Sequence, residues 1–312
     1  MFLANHQNAL LDALLIATHC KRKPYFLTRS DVFKTALLKV FFGFLQMIPV
    51  YRIRDGKNSL AGNTAIFERC AQLLGRGEAV LIFPEGNHSL KRRVRPLSKG
   101  FTRILFLALE SNPSMDIGIV PIGVNYANAA KFPDKAALYY GNEIRVRDFF
   151  DKKDVSGSAS RLKEEVYHHL KKLTTHIEEE SSYEEIVHTL DRAKVDYLDP
   201  AGVNRIIEEG TPPEYRKIGK GKVALEKYIL RGAFFILNFP MIIIWSMFIK
   251  PKVSEPEFLS TTRFMYALLF YPFFYLLFIA GMLEFLNWPA TSIICLAHLT
   301  LNIVLVKLSW ED

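Results

Sequence analysis

The chain has 312 residues, half of them hydrophobic, and a formal net charge of +8, enough for one ordinary domain and an appendage. A basic balance suits nucleic acid, an anionic membrane or phosphorylated substrates; nucleic acid is excluded because the basic residues sit beside long apolar runs and no nucleic-acid module is recognisable. Cys20, Cys70 and Cys295 are scattered, which excludes a disulfide framework and points to a reducing compartment, and His19-Cys20 fits no zinc spacing.

Phe2 to Ala4 predicts a short strand, followed by a polar turn carrying His6 and a helix that begins around Asn8. Asp12 falls in the first turns of that helix. A histidine at such a turn reaches a bound substrate, and a carboxylate bonded to the far side of its ring holds one tautomer and stabilises the imidazolium. Taken alone, the pair is as well explained by chance, with Asn8 only a helix cap. Tyr25-Phe26-Leu27-Thr28 reads as a strand, and Ser30 as the cap of an apolar helix over Val32 to Leu45. So little polar face means either full burial or contact with lipid.

A strand from Ile48 to Ile53 delivers Arg54, and a helix from Ser59 to Leu74 stops at Gly75 and Gly77. The run Ala79 to Phe83, closed by Pro84, reads as a buried parallel strand. A helix over Ser98 to Glu110, a strand over Ile117 to Val124 and another around Leu138-Tyr139-Tyr140 complete the pattern. This alternation predicts an α/β fold: a mostly parallel sheet flanked by helices, with its site at the strand ends. Ser156 to Ser182 reads as a charged helix with a narrow stripe of Leu162, Val166, Leu170 and Leu173, and the same character returns from Tyr183 to Lys194. The expected domains are 1–150, a charged helical connector over 151–231, and membrane helices over 232–312.

Four stretches occur in a telling order. They are His6 with Asp12; Pro49-Val50-Tyr51-Arg52-Ile53-Arg54; Phe83-Pro84-Glu85-Gly86 with Leu97-Ser98-Lys99-Gly100; and Val120-Pro121-Ile122. The series resembles the phospholipid and glycerol acyltransferases, the glycerol-3-phosphate and lysophosphatidic acid acyltransferase family, over roughly the first half of the chain. Two departures stand out. Five residues separate His6 from Asp12 where the family usually has four, and Asn87-His88 stands where it usually has Thr-Arg. The family also has a strand and helix upstream of the His turn, so the resemblance predicts an N-terminally short chain, from a misassigned start or a fragment.

The resemblance implies transfer of a fatty acyl chain from acyl-CoA or acyl-carrier protein to a hydroxyl of glycerol-3-phosphate or its lysolipid, with no cofactor. It makes His6 the general base and Asp12 its orienting partner. It assigns Arg54 to the acceptor phosphate, a role that suits a guanidinium fork, and Glu85 and Gly86 to the acceptor. Arg52, on the opposite strand face, reads as an exposed charge. Lys99, opening a helix, adds a phosphate contact. The basic run Lys91, Arg92, Arg93, Arg95 is either a solvated loop or an attractor of phosphate or anionic lipid. A serine lipase is excluded by the lack of Gly-x-Ser-x-Gly. The alternative is a catalytically silent lipid-binding or scaffold homologue, in which Asp12 does not reach His6.

Ala233–Ile249, Phe264–Leu283 and Ala290–Val306 are apolar stretches near spanning length. Pro240 interrupts the first. Lys and Arg flank every segment except the loop Glu284 to Pro289. With positive residues inside, this predicts a re-entrant or in-plane segment, Ala233–Ile249, followed by a two-helix hairpin. The enzyme domain and the C-terminus then share the cytoplasmic face of the inner membrane.

Overall fold

A computed structural model describes residues 1–30, 33, 36–51, 62–210 and 225–310. The chain divides into two compact units, Met1–Ala127 with Lys135–Pro212, and Asn128–Asp134 with Pro213–Asp312.

The first unit is an α/β sheet with helices, as the alternating pattern predicts. Its strands are β1 (Phe2–Ala4), β2 (Tyr25–Arg29), β3 (Met47–Val50), β4 (Val80–Ile82), β5 (Gly118–Tyr126), β6 (Ala136–Tyr140) and β7 (Ile144–Arg145). They are ordered β3-β2-β4-β1-β5-β6, with β7 also on β5. The pairs β3–β2, β2–β4, β4–β1 and β1–β5 are parallel, and β6 and β7 pair antiparallel with β5. A central strand covered on both faces has no polar side to show, which is why Val80, Leu81 and Ile82 form an unbroken apolar run.

Helices α1 (Ala9–His19), α2 (Ala36–Phe44), α3 (Asn63–Gly75) and α4 (Gly100–Ser111) connect the parallel strands. In α4, Phe101, Ile104, Leu105, Ala108 and Leu109 recur at helical spacing and are buried. They meet Cys70, Leu73 and Leu74 of α3 in the main core. Helix α3 ends at Gly75, and the turn beyond it places Gly77 at φ 78°, a conformation glycine adopts without strain.

Further on, α5 (Val155–Leu173), α6 (Tyr183–Ala193) and α7 (Pro200–Glu209) follow. The stripe residues Leu162, Val166 and Leu170 are part of the main core of the first unit. The helix expected to run to Ser182 stops at Leu173. Thr174 Oγ1 donates back to Leu170 O at 2.9 Å, and Ile177 N–H donates across to Arg92 O at 3.0 Å. Tertiary pairing with the basic run thus displaces the helix that local composition favours. Strand β3 ends at Val50, short of the expected Ile53, and residues 52–61, Arg54 among them, lie outside the described residues.

The second unit holds α8 (Leu225–Leu237), α9 (Phe239–Ile244), α10 (Leu259–Leu283) and α11 (Trp288–Trp310). The stretches Pro256–Leu283 and Trp288–Trp310 are long and apolar enough to cross a membrane. Leu225–Leu237 and Phe239–Lys252 form a pair bent by 82°, with Pro240 at the start of α9. Side chains from the two long helices fix the bend. Arg231 of α8 donates twice to Ser309 O, near the end of α11, at 3.0 and 2.9 Å. About two turns on, Asn238 donates to Asn302 Oδ1 at 2.6 Å and accepts from Tyr271 OH at 3.0 Å.

His298 Nε2 meets Leu237 O at 3.2 Å, and Tyr275 OH meets His298 Nδ1 at 2.7 Å. After the bend, Tyr266 OH donates to Met241 O at 2.8 Å, and the Arg263 guanidinium lies 5.4 Å from the Trp245 ring. The bent pair therefore runs in along α11 to its middle, turns at Asn238, and returns along α10 toward Arg263. The ends carrying Trp310 and Arg263 lie together, since the Phe132 ring is 6.5 Å from the one and 5.7 Å from the other. Broken helices inside a bilayer need their freed carbonyls bonded, and His298 answers that need at Leu237.

Candidate active site

Strand β1 ends at Ala4, and Asn5 continues its pairing with a side chain. Asn5 Nδ2 donates to Val124 O at 3.0 Å, and Val124 N–H donates to Asn5 Oδ1 at 2.7 Å. The backbone is thereby held one residue before His6, at the carboxyl end of the strand. The turn after β4 and the end of β5 lie on this same edge, because β1, β4 and β5 run parallel.

His6 Nδ1 lies 2.7 Å from Asp12 Oδ2. The additional residue between them does not separate the pair. The turn accommodates it with Ala9 at φ 43°, a left-handed conformation that costs a non-glycine residue about 1–2 kcal/mol. The Asp12 carboxylate is fully buried. Its Oδ2 also accepts the backbone N–H groups of Gln7 and Asn8, each at 2.8 Å, and its Oδ1 accepts Tyr126 OH at 2.6 Å. A buried carboxylate persists only when its oxygens are satisfied, and donors from the turn, from β5 and from the His6 ring meet that demand.

A carboxylate acceptor on Nδ1 fixes the proton there and leaves the lone pair of Nε2 outward. The His6 side chain is 15% exposed. One face of its ring stacks on Phe83, centroids 4.0 Å apart and planes 14° from parallel, and the His88 ring meets it edge-on at 5.6 Å. Ser89 N–H donates to His6 O at 3.1 Å, so the Phe83–Ser89 segment is bound to the His turn.

Gly86 closes a turn by donating to Phe83 O at 3.1 Å, at φ 78°, and this conformation requires glycine. The Glu85 side chain, expected to face the acceptor, is 1% exposed and turned onto Arg95. Burial pushes its carboxyl above the usual range, against the opposing pull of Arg95 and of His6. Lys99 is exposed at the head of α4.

The basic run is neither a loose solvated loop nor a free patch. Arg92 donates to Tyr126 O at 3.0 Å and to Ala127 O at 2.8 Å, with its guanidinium 3.3 Å from the Tyr197 ring centroid. Lys91 and Arg93 reach Glu180 at 3.2 and 3.3 Å. Among the described residues no group of three or more His, Cys, Asp and Glu side chains is placed to hold a metal.

The first unit thus holds a His–Asp pair at the carboxyl ends of a mostly parallel sheet, and the second unit holds two helices long and apolar enough to cross a membrane. Residues 1–125 match the family model described as Acyltransferase. Over 84 residues the chain is 32% identical to Glycerol-3-phosphate O-acyltransferase 2 of Saccharomyces cerevisiae. Over 83 residues it is 26% identical to Glycerol-3-phosphate O-acyltransferase 1 of the same yeast. Each match takes in 27% of this chain and 11% of the yeast protein. Among solved structures, the 1-acyl-sn-glycerophosphate (LPA) acyltransferase from Thermotoga maritima is similar at 16% identity and a TM-score of 0.38, covering 57% of this chain and 67% of that one.

Sequence reasoning singled out His6 and Asp12, which the fold brings together. It gave no role to Asn5, Phe83, Tyr126 or His88. Phe83 and His88 flank the Pro-Glu-Gly turn and were within reach of that motif. Tyr126, 114 positions from Asp12, had no local signal.

Proposed function

We propose that this chain transfers a fatty acyl group from a thioester of coenzyme A or of acyl-carrier protein to a hydroxyl of a phosphorylated glycerol. Glycerol-3-phosphate and its 1-acyl derivative are the acceptors considered. The observation that carries this reading is the 2.7 Å contact between His6 Nδ1 and the buried Asp12 carboxylate. It leaves Nε2 as the accepting nitrogen of a general base. The same contact speaks against the silent-homologue reading, which needs Asp12 turned away.

In the proposed step, the acceptor oxygen attacks the thioester carbonyl carbon and passes its proton to His6 Nε2. A carbon–oxygen bond forms, the carbon–sulfur bond breaks, and the imidazolium returns the proton to the departing thiolate. Asp12 stabilises the imidazolium between the two transfers. No protein nucleophile takes part. Arg54 and Lys99 supply charge for the acceptor phosphate, and Gly86 keeps its turn free of a side chain. Membrane spans in the same chain suit an acceptor or product that resides in a bilayer.

Membranes from cells expressing the chain, incubated with each acceptor against each donor and analysed for lipid products, test the reading. Formation of lysophosphatidic or phosphatidic acid above the level of membranes without the chain is expected. No acylated product from any combination contradicts it.

A further inference from the structure

The Arg95 side chain joins two turns of the site. Its guanidinium donates to the Glu85 carboxylate, to the Asn87 carbonyl and side-chain oxygens, and to His6 O at 3.4 Å. Its own backbone N–H faces Glu85 Oε1 at 3.5 Å. A guanidinium presents five donors in a rigid fork and matches such a spread of acceptors, which an ammonium does not. Arg95 meets Glu85 with both its guanidinium and its backbone N–H, and the carboxylate is closed off from solvent. Glu85 is thus placed to hold Arg95, and Arg95 to hold the carbonyl of the residue that bears the imidazole.

We infer that Arg95, seated on Glu85, is a positioning residue that clamps the His6 turn to the Pro84–Asn87 turn, and that Glu85 serves the reaction through this clamp rather than by touching the acceptor. The kinetic arm of its test rests on the acyl-transfer reading; the chemical arm does not.

The experiment uses the full chain in membranes, with Arg95→Met, Arg95→Lys, Glu85→Gln and the double variant Glu85→Gln/Arg95→Met. A displacement of about 1 Å at a catalytic group lowers the rate about a hundredfold, so Arg95→Met is expected to lower kcat on that scale with little change in donor KM. Arg95→Lys, which keeps the charge without the fork, falls between, and gives the answer where the Met variant does not fold. If Arg95 only neutralised Glu85, removing both charges would restore the rate; the clamp predicts that the double variant stays impaired.

In parallel, mass spectrometry follows carbethoxylation of His6 by diethyl pyrocarbonate, which needs no turnover. Faster modification of His6 in Arg95→Met and in the double variant supports the clamp. Wild-type kcat in the double variant, or unchanged His6 reactivity in Arg95→Met, overturns it. A wild-type chain that forms no product overturns the acyl-transfer reading alone, and the His6 reactivity then decides the clamp.

Discussion

The phenol of Tyr126 donates to Oδ1 of Asp12 at 2.6 Å, across 114 residues of chain and entirely within the protein interior. The bond ties the last residue of β5 to the carboxylate that faces His6, so the His–Asp pair is anchored to the sheet at both ends. It leaves Oδ2 to the imidazole and the two turn amides.

Tyr126→Phe tests this anchor. Leaving a buried carboxylate oxygen without its donor costs about 1–3 kcal/mol. We expect a lower unfolding midpoint and a lower kcat, with unchanged acceptor KM. Thermal unfolding and steady-state kinetics on the same preparation check it. Equal kcat in the two proteins would show that the anchor is dispensable.

His176 gives the fold a defined acid sensitivity. Its Nδ1 accepts Val94 N–H at 3.0 Å and its Nε2 faces Glu178 at 3.0 Å, so the ring is neutral in the fold. Burial lowers its pKa below the ordinary histidine value; Lys171 and Arg93 push the same way, and Glu178 pulls against them. With the folded pKa below the unfolded one, the unfolded chain binds more protons. The stability is present above the unfolded value and is lost as the pH falls through the folded one. Glu85, with its carboxyl raised by burial, changes stability in the opposite sense. His176→Asn keeps an acceptor for Val94 and removes the titration. Its unfolding temperature is expected to fall less than that of the wild type between about pH 7 and about pH 5. Equal losses would remove His176 as the cause.

Arg54→Ala separates binding from chemistry. Removing a phosphate contact made in ground and transition states alike raises KM more than it lowers kcat. We expect a raised KM for the phosphorylated acceptor and an unchanged KM for the donor. An unchanged acceptor KM would shift that role to Lys99 or Arg52.

The bent pair of the second unit predicts its topology. Arg231 lies beside Ser309, and Arg263 lies beside Trp245 at the return of the bend. On this basis we expect Leu225–Lys252 to enter and leave on one side while α10 and α11 cross. We expect residues before α8 and after α11 to share a face. Reporters fused before Leu225 and after Trp310 check it; opposite faces would mean three spans. His298→Leu removes the polar partner of Leu237 O, and is expected to lower the stability of the folded chain in detergent.

Much of this architecture was legible because periodicity reports burial. The apolar run Ala79–Ile82, the spacing of Phe101, Ile104 and Leu105, and the unbroken stretch in α10 each state which face is covered. The order of the motifs marked His6 and Asp12. What was not legible depended on contacts far apart in sequence. Thr174–Ser182 reads as helix in isolation and is pulled straight by Arg92 and Val94. The basic run reads as either a solvated loop or an attractor of anions, and its partners Glu180, Tyr126 and Glu85 are supplied by the fold. Nothing local to Glu85 says that its carboxylate turns inward, since that follows from Arg95 ten residues on.

The most direct measurement is the rate of acyl transfer by His6→Ala in native membranes, beside wild type at equal abundance. Loss of a positioned general base lowers the rate about a hundredfold or more. The account predicts a loss on that scale, with the protein still folded and membrane-bound and the donor still bound. Transfer by His6→Ala within a factor of about two of wild type would contradict the proposal that His6 is the base.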